Sequence, residues 1–154
     1  MTDLVFYTNK QSRGRIAHWM LEAVAEPYSI EWVDYGETGT KSPAYLGINP
    51  MGKLPAVTCQ GAVVTETPAI CAFLAARFPD KGLMPARDDP ALASYYRWLF
   101  FAAGPLEQSV TVSAMGWSVD PERKGTIGFG SHEDVLAAIE QALTGTQYVC
   151  GKAF

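Results

Sequence analysis

A chain of 154 residues, 48% hydrophobic and 18% charged, has the composition of a globular protein with one ordinary domain or two small ones. Its formal net charge of −4, with Lys and Arg scattered along the chain, excludes the concentrated basic surface that nucleic acid requires of its partners. No apolar run approaches the roughly 20 residues that span a bilayer, and Met1-Thr2-Asp3 is not a basic segment leading into an apolar one, so a cytoplasmic protein with no membrane partner is expected.

Leu4-Val5-Phe6-Tyr7 is a β-rich run, and behind Ser12 the residues Ile16, Met20, Ala23 and Val24 recur at helical spacing. Alternation around Ile30 and Trp32 predicts a second strand over 28–34, which completes a βαβ unit. Residues 36–47 read as loop, with one helical turn at Ala44-Tyr45-Leu46. Leu54-Pro55-Ala56-Val57 then opens a strand, Gln60-Gly61 turns it, and Ala62-Val63-Val64-Thr65 returns antiparallel. Thr67 is placed to cap a helix that starts at Pro68 and carries Ile70, Phe73 and Leu74 on its apolar side. The resulting α/β order, βαβ-α-ββα, is the thioredoxin-like layout.

Proline and the loss of apolar pattern mark residues 80–88 as a linker between a first domain, 1–79, and an all-α second domain, 89–154. Asp89-Pro90 starts a helix that runs to about Met115, apolar on more than one side, which Gly104-Pro105 must kink or break. Residues 119–130 are polar and Gly-rich. Ser131 then caps a helix with Val135, Leu136, Ile139 and Leu143 on its apolar side, stopped by Gly145.

Three cysteines, Cys59, Cys71 and Cys150, form an odd set without C-x-x-C spacing, which excludes a disulfide framework and a dithiol redox motif; Cys59 and Cys71 read as small core residues. His18 and His132 have no Cys or His companions at ligand spacing, so no metal site is expected. The chemistry concentrates in residues 49–75. There a strand edge lies beside a helix N-terminus, with Lys53 just before Pro55 and Glu66 just before Thr67. Unpaired backbone groups, a helix start that favours anions, a cation and an anion together suit a small zwitterionic peptide with two carboxylates.

NPMGKLPAV followed by TETPAICAFLA resembles the glutathione-binding segment of cytosolic glutathione S-transferases, in particular the bacterial-type, serine-using classes. The likeness is specific over residues 4–78 and becomes one of helix pattern after that. It implies a cis Leu54–Pro55 bond, with the backbone of Leu54 pairing the cysteinyl unit of glutathione. It also implies that Glu66 and Thr67 hold the γ-glutamyl end and Lys53 the glycine carboxylate; Thr67 stands where Ser is more usual. In such proteins the reactive sulfur belongs to the co-substrate and the protein supplies a donor to its thiolate. That role falls on Ser12, with Tyr7 and Asn9 as alternatives.

The resemblance implies conjugation of glutathione to a hydrophobic electrophile by a homodimer. Two alternatives stay open: a glutathione-dependent peroxidase or disulfide reductase, and a non-catalytic binding module of the same fold. Residues 148–154 resemble the segment that leads into the central helix of the second domain. The expectation is therefore an incomplete helical domain, part of a longer chain, with the apolar side of Val135, Leu136, Ile139 and Leu143 partly exposed.

Overall fold

Alternation along β1 (Leu4–Thr8) buries Leu4, Phe6 and Thr8 on one face and turns Val5 and Tyr7 to the other. In this computed structural model, which describes residues 3–151, β1 pairs in parallel with β2 (Ser29–Trp32) and antiparallel with β3 (Ala56–Cys59). β3 pairs antiparallel with β4 (Ala62–Thr65), and the sheet order is β2-β1-β3-β4. The turn between β3 and β4 holds Gln60 at φ 50° and Gly61 at φ 81°, the left-handed pair whose twist suits a tight hairpin.

α1 (Gly14–Val24) links β1 to β2, and α3 (Thr67–Arg77) follows β4. Ala17, Met20, Leu21 and Val24 of α1 and Ile70, Leu74 and Ala75 of α3 close a buried cluster over Leu4, Phe6, Val57 and Cys59. Tyr7, on the opposite face, meets α2 (Pro43–Leu46) with its ring 6.1 Å from that of Tyr45. Ser42 caps α2 by accepting the Tyr45 N–H, and Pro43 follows where a missing N–H costs nothing. The thioredoxin-like order expected from the sequence is the observed one, and a helical region follows it. β2 is shorter than the alternation suggested.

The chain divides into two compact units, Met1–Met84 and Pro85–Phe154. In the second, α4 (Ala91–Phe101) begins where Asp89 Oδ1 accepts the Ala91 N–H at 2.8 Å. The single helix expected over 89–115 is three segments: Ala102–Leu106 widens into a π-helical turn around Pro105, and α5 (Glu107–Ala114) continues beyond it. A wider turn makes room for the proline ring and its missing donor without ending the helix. A 3₁₀ helix, Pro121–Thr126, occupies part of the polar, Gly-rich stretch.

α6 (His132–Leu143) starts as expected at Ser131, whose Oγ accepts the Asp134 N–H at 3.2 Å. Its apolar side is only partly covered: Val135 is 2% exposed, whereas Leu136 is 50% and Leu143 44% exposed. No residue of α4 is buried. The expectations that concern Met1, Thr2 and residues 152–154 lie outside the described residues.

Burial separates the two units energetically. Leu74→Ala removes a fully buried side chain from the first core and is expected to lower the unfolding free energy by about 2–5 kcal/mol. Leu136→Ala, on the half-exposed side of α6, should stay within about 1 kcal/mol of the parent. Denaturant titration followed by circular dichroism checks both.

Candidate functional site

Ala56 pairs with Tyr7 on one side and with Thr65 on the other, so the segments beyond these three residues leave the sheet at the same end. Past Tyr7, β1 finishes at Thr8 and the loop runs through Asn9 to Ser12. Ahead of Ala56 lie Lys53, Leu54 and Pro55, and after Thr65 come Glu66 and Thr67. The register thus brings the segments that carry Ser12, Leu54 and Thr67 to one end of the sheet, although Tyr7 faces α2 while Thr8 faces α1.

The β1–α1 loop is tied by its own side chains. The Asn9 carbonyl accepts both the Ser12 N–H, at 3.0 Å, and the Ser12 hydroxyl, at 2.8 Å. The Ser12 oxygen in turn accepts the Gly14 N–H at 3.0 Å and lies 3.5 Å from Thr8 Oγ1. Arg13 holds the N-cap position of α1, so Ser12 stands one residue ahead of the cap. A Cβ on Gly14 would fall 2.0 Å from Thr8 Oγ1; glycine is what lets the helix start approach the strand end. Both ends of the Asn9 amide are engaged, Nδ2 donating to the Val33 carbonyl just past β2 at 3.1 Å and Oδ1 accepting the Gln11 N–H within the loop at 3.0 Å.

The Leu54–Pro55 peptide is cis, as expected. The loop before it is braced by residues that sequence reasoning missed. The Lys53 carbonyl accepts the Tyr45 hydroxyl at 2.7 Å and Asn49 Nδ2 at 2.8 Å, and both donors are almost wholly buried. Burial, with Tyr7 nearby, pushes the Tyr45 phenol up to about 12, so it stays a protonated donor well above neutral pH. Lys41 Nζ reaches the Met51 carbonyl at 2.9 Å, and Gly52, at φ 59°, passes so close to Thr40 that a Cβ would lie 2.5 Å from its carbonyl oxygen. An Asn between turn formers, as in Asn49-Pro50-Met51-Gly52, was a usable signal of local bonding to the backbone. Nothing in the pattern marked Tyr45.

Across the hairpin, α3 starts one residue earlier than expected. Thr67 is its first helical residue rather than its cap; Glu66 holds the cap position, with no side-chain capping bond. Pro68 is tolerated at the second helical position as at the first, because neither N–H has an intrahelical partner. Glu66 adopts φ 66° and ψ 117°, a conformation that non-glycine residues rarely enter. Such strain costs on the order of 1–3 kcal/mol and clusters at binding sites. The protein's own thiols are poor nucleophiles by comparison: Cys59 is buried in the core, and burial pushes the Cys71 thiol up. Among the described residues no group of three or more His, Cys, Asp or Glu is arranged to hold a metal ion.

Residues 13–77 match the model of the glutathione S-transferase N-terminal domain. The chain belongs to the glutathione S-transferase family. It is 33% identical over 104 residues to glutathione S-transferase 3 of Schizosaccharomyces pombe, a match covering 67% of this chain and 42% of that protein. It is 32% identical over 117 residues to maleylacetoacetate isomerase of Pseudomonas aeruginosa, covering 71% and 53%. The chain therefore spans about half the length of these curated relatives. Among solved structures, the theta class glutathione S-transferase of Xanthomonas axonopodis pv. citri with glutathione bound superposes with a TM-score of 0.78 at 25% identity, over 100% of this chain and 76% of that one. A sphingomonad glutathione S-transferase complexed with glutathione gives 0.73 at 26% identity, over 97% and 75%.

Two backbone features of this candidate site make opposite predictions for stability. Glu66→Gly relieves a left-handed φ and is expected to raise stability by about 1 kcal/mol or less. Gly14→Ala forces a methyl into Thr8 and Ser12 and should lower it by about 1–3 kcal/mol. Thermal melts of the two variants beside the parent test the pair.

Proposed function

We propose that this chain binds glutathione at the shared end of the sheet and stabilises its thiolate for conjugation to a hydrophobic electrophile. The observation that carries the reading is the convergence there of the Ser12 loop, the cis Leu54–Pro55 step and the strained Glu66–Thr67 helix start. Solved relatives that hold glutathione share the fold, which supports the same ligand here.

In this reading the backbone of Leu54 pairs the cysteinyl unit. Thr67 and the N–H groups that open α3 take the γ-glutamyl carboxylate, where a helix N-terminus favours negative charge, and Glu66 takes its ammonium. Lys53, exposed beside the cis step, takes the glycine carboxylate. Ser12 donates to the sulfur. Its oxygen already accepts the Gly14 N–H, which polarises the hydroxyl, and the positive end of α1 lies beside it. A thiol near pKa 8.5 is mostly protonated at neutral pH, so a donor and a helix dipole directed at the sulfur shift it toward the reactive anion. Asn9 is the weaker candidate because its amide is engaged, and Tyr7 because it faces α2. The exposed Phe100 and Trp117 of the second unit suit association with a second copy, and a cytoplasmic homodimer completes the proposal.

A second reading, a glutathione-binding module without turnover, is favoured by one observation: the Ser12 hydroxyl already donates its proton to the Asn9 carbonyl at 2.8 Å. Calorimetric titration with glutathione, followed by rate measurements on an aryl halide and on a hydroperoxide, separates binding from conjugation and from reduction. Ser12→Ala is expected to lower kcat by about 10²-fold while the glutathione Kd changes little, since a thiolate donor acts on reactivity and the anchors act on binding. A fully active Ser12→Ala, with activity lost instead in Tyr7→Phe or Asn9→Ala, would assign the donor elsewhere. A parent that binds glutathione without turning over either substrate would leave the module reading.

A further inference from the structure

We infer that Tyr45 and Asn49 are positioning residues that aim the Leu54 N–H at the ligand, by holding the carbonyl on the other side of the same peptide bond. This rests on the glutathione reading above. Two buried side chains four residues apart converge on one backbone oxygen, the Lys53 carbonyl, at 2.7 Å and 2.8 Å. A carbonyl has two lone pairs, and here each has a donor.

In a planar trans peptide the C=O and N–H point in opposite directions. Lys53–Leu54, unlike Leu54–Pro55, is trans. Fixing the Lys53 carbonyl toward Tyr45 and Asn49 therefore turns the Leu54 N–H away from them. The same Asn49 side chain accepts the Met51 N–H at 3.0 Å, and its backbone carbonyl accepts the Gly52 N–H at 2.8 Å, so Asn49 is itself held by the loop, and rotation of the pinned peptide breaks both bonds to the Lys53 carbonyl. With the peptide plane preset, the ligand does not have to order it on binding.

The test is calorimetric titration of the full chain with reduced glutathione, comparing the parent with Tyr45→Phe and Asn49→Asp. Tyr45→Phe keeps the ring against Tyr7 and removes only the hydroxyl. Asn49→Asp keeps an acceptor for the Met51 N–H and loses the donor to Lys53. The glutathione Kd is expected to rise about fivefold in Tyr45→Phe and further in Asn49→Asp, the aspartate also repelling the carbonyl, with the stoichiometry of binding unchanged. A merely structural role would lower the melting temperature and the stoichiometry and leave Kd where it was, and that result overturns the inference. If both variants bind like the parent, the positioning role fails while the glutathione reading stands; a parent that does not bind glutathione overturns both. Should Asn49→Asp fail to fold, Tyr45→Phe alone decides.

Discussion

The double pairing of Ala56, with Tyr7 on one side and Thr65 on the other, is the constraint on which the candidate site depends. Three stretches of chain far apart in sequence reach one end of the sheet because this residue fixes where each stops being strand. Ala56 is fully buried, and a shift of one residue would exchange the two faces of β3. Val57 and Cys59 would then leave the core shared with α1 and α3, so the same burial that stabilises the first unit fixes the register of the site.

How much of this was legible depended on the range of the interaction. Local signals carried well: the β-rich run of residues 4–7, the Gln60-Gly61 turn and the Ser131 cap each became the element they predicted, because the responsible forces act within a few residues. The cis Leu54–Pro55 step came from a family resemblance, since nothing in composition separates cis from trans proline. The start of α3 was misplaced by one residue because Pro68 is compatible with either of two helix positions, and a left-handed φ at Glu66 contradicts what a glutamate predicts. The π-helical turn at Pro105 shows the same limit: the sequence marks the disturbance but not whether the helix ends or widens.

Tyr45 was illegible, and Asn49 legible only as a turn residue, for a different reason. Each acts through a bond to the backbone of Lys53, and a backbone carbonyl leaves no trace in the sequence. Tyr45 looked like an apolar residue in a one-turn helix, and its burial agrees with that; only its hydroxyl tells more. The pattern extends beyond this pair. Lys41, Thr8 and Gly14 also shape the site through what they touch rather than through what they are, so residues that place a ligand-facing backbone are the ones a linear reading passes over.

The hydrogen bonds of Ser12 bear on how it could serve a thiolate. Its proton goes to the Asn9 carbonyl, and a sulfur anion brought within reach would compete for it with a charge-assisted bond, stronger than one between neutral groups. Rotation of one torsion would make the exchange. The loop need not open when it does, because the Ser12 N–H continues to hold the Asn9 carbonyl at 3.0 Å and the Gly14 N–H can still reach the hydroxyl oxygen. Asn9, by contrast, could turn to a ligand only by releasing Val33 and Gln11, the bonds that join this loop to the end of β2 and shape its own turn. A hydroxyl that can redirect its proton while the backbone bond beneath it persists is a donor whose use leaves the site standing, and that distinguishes Ser12 from its neighbour.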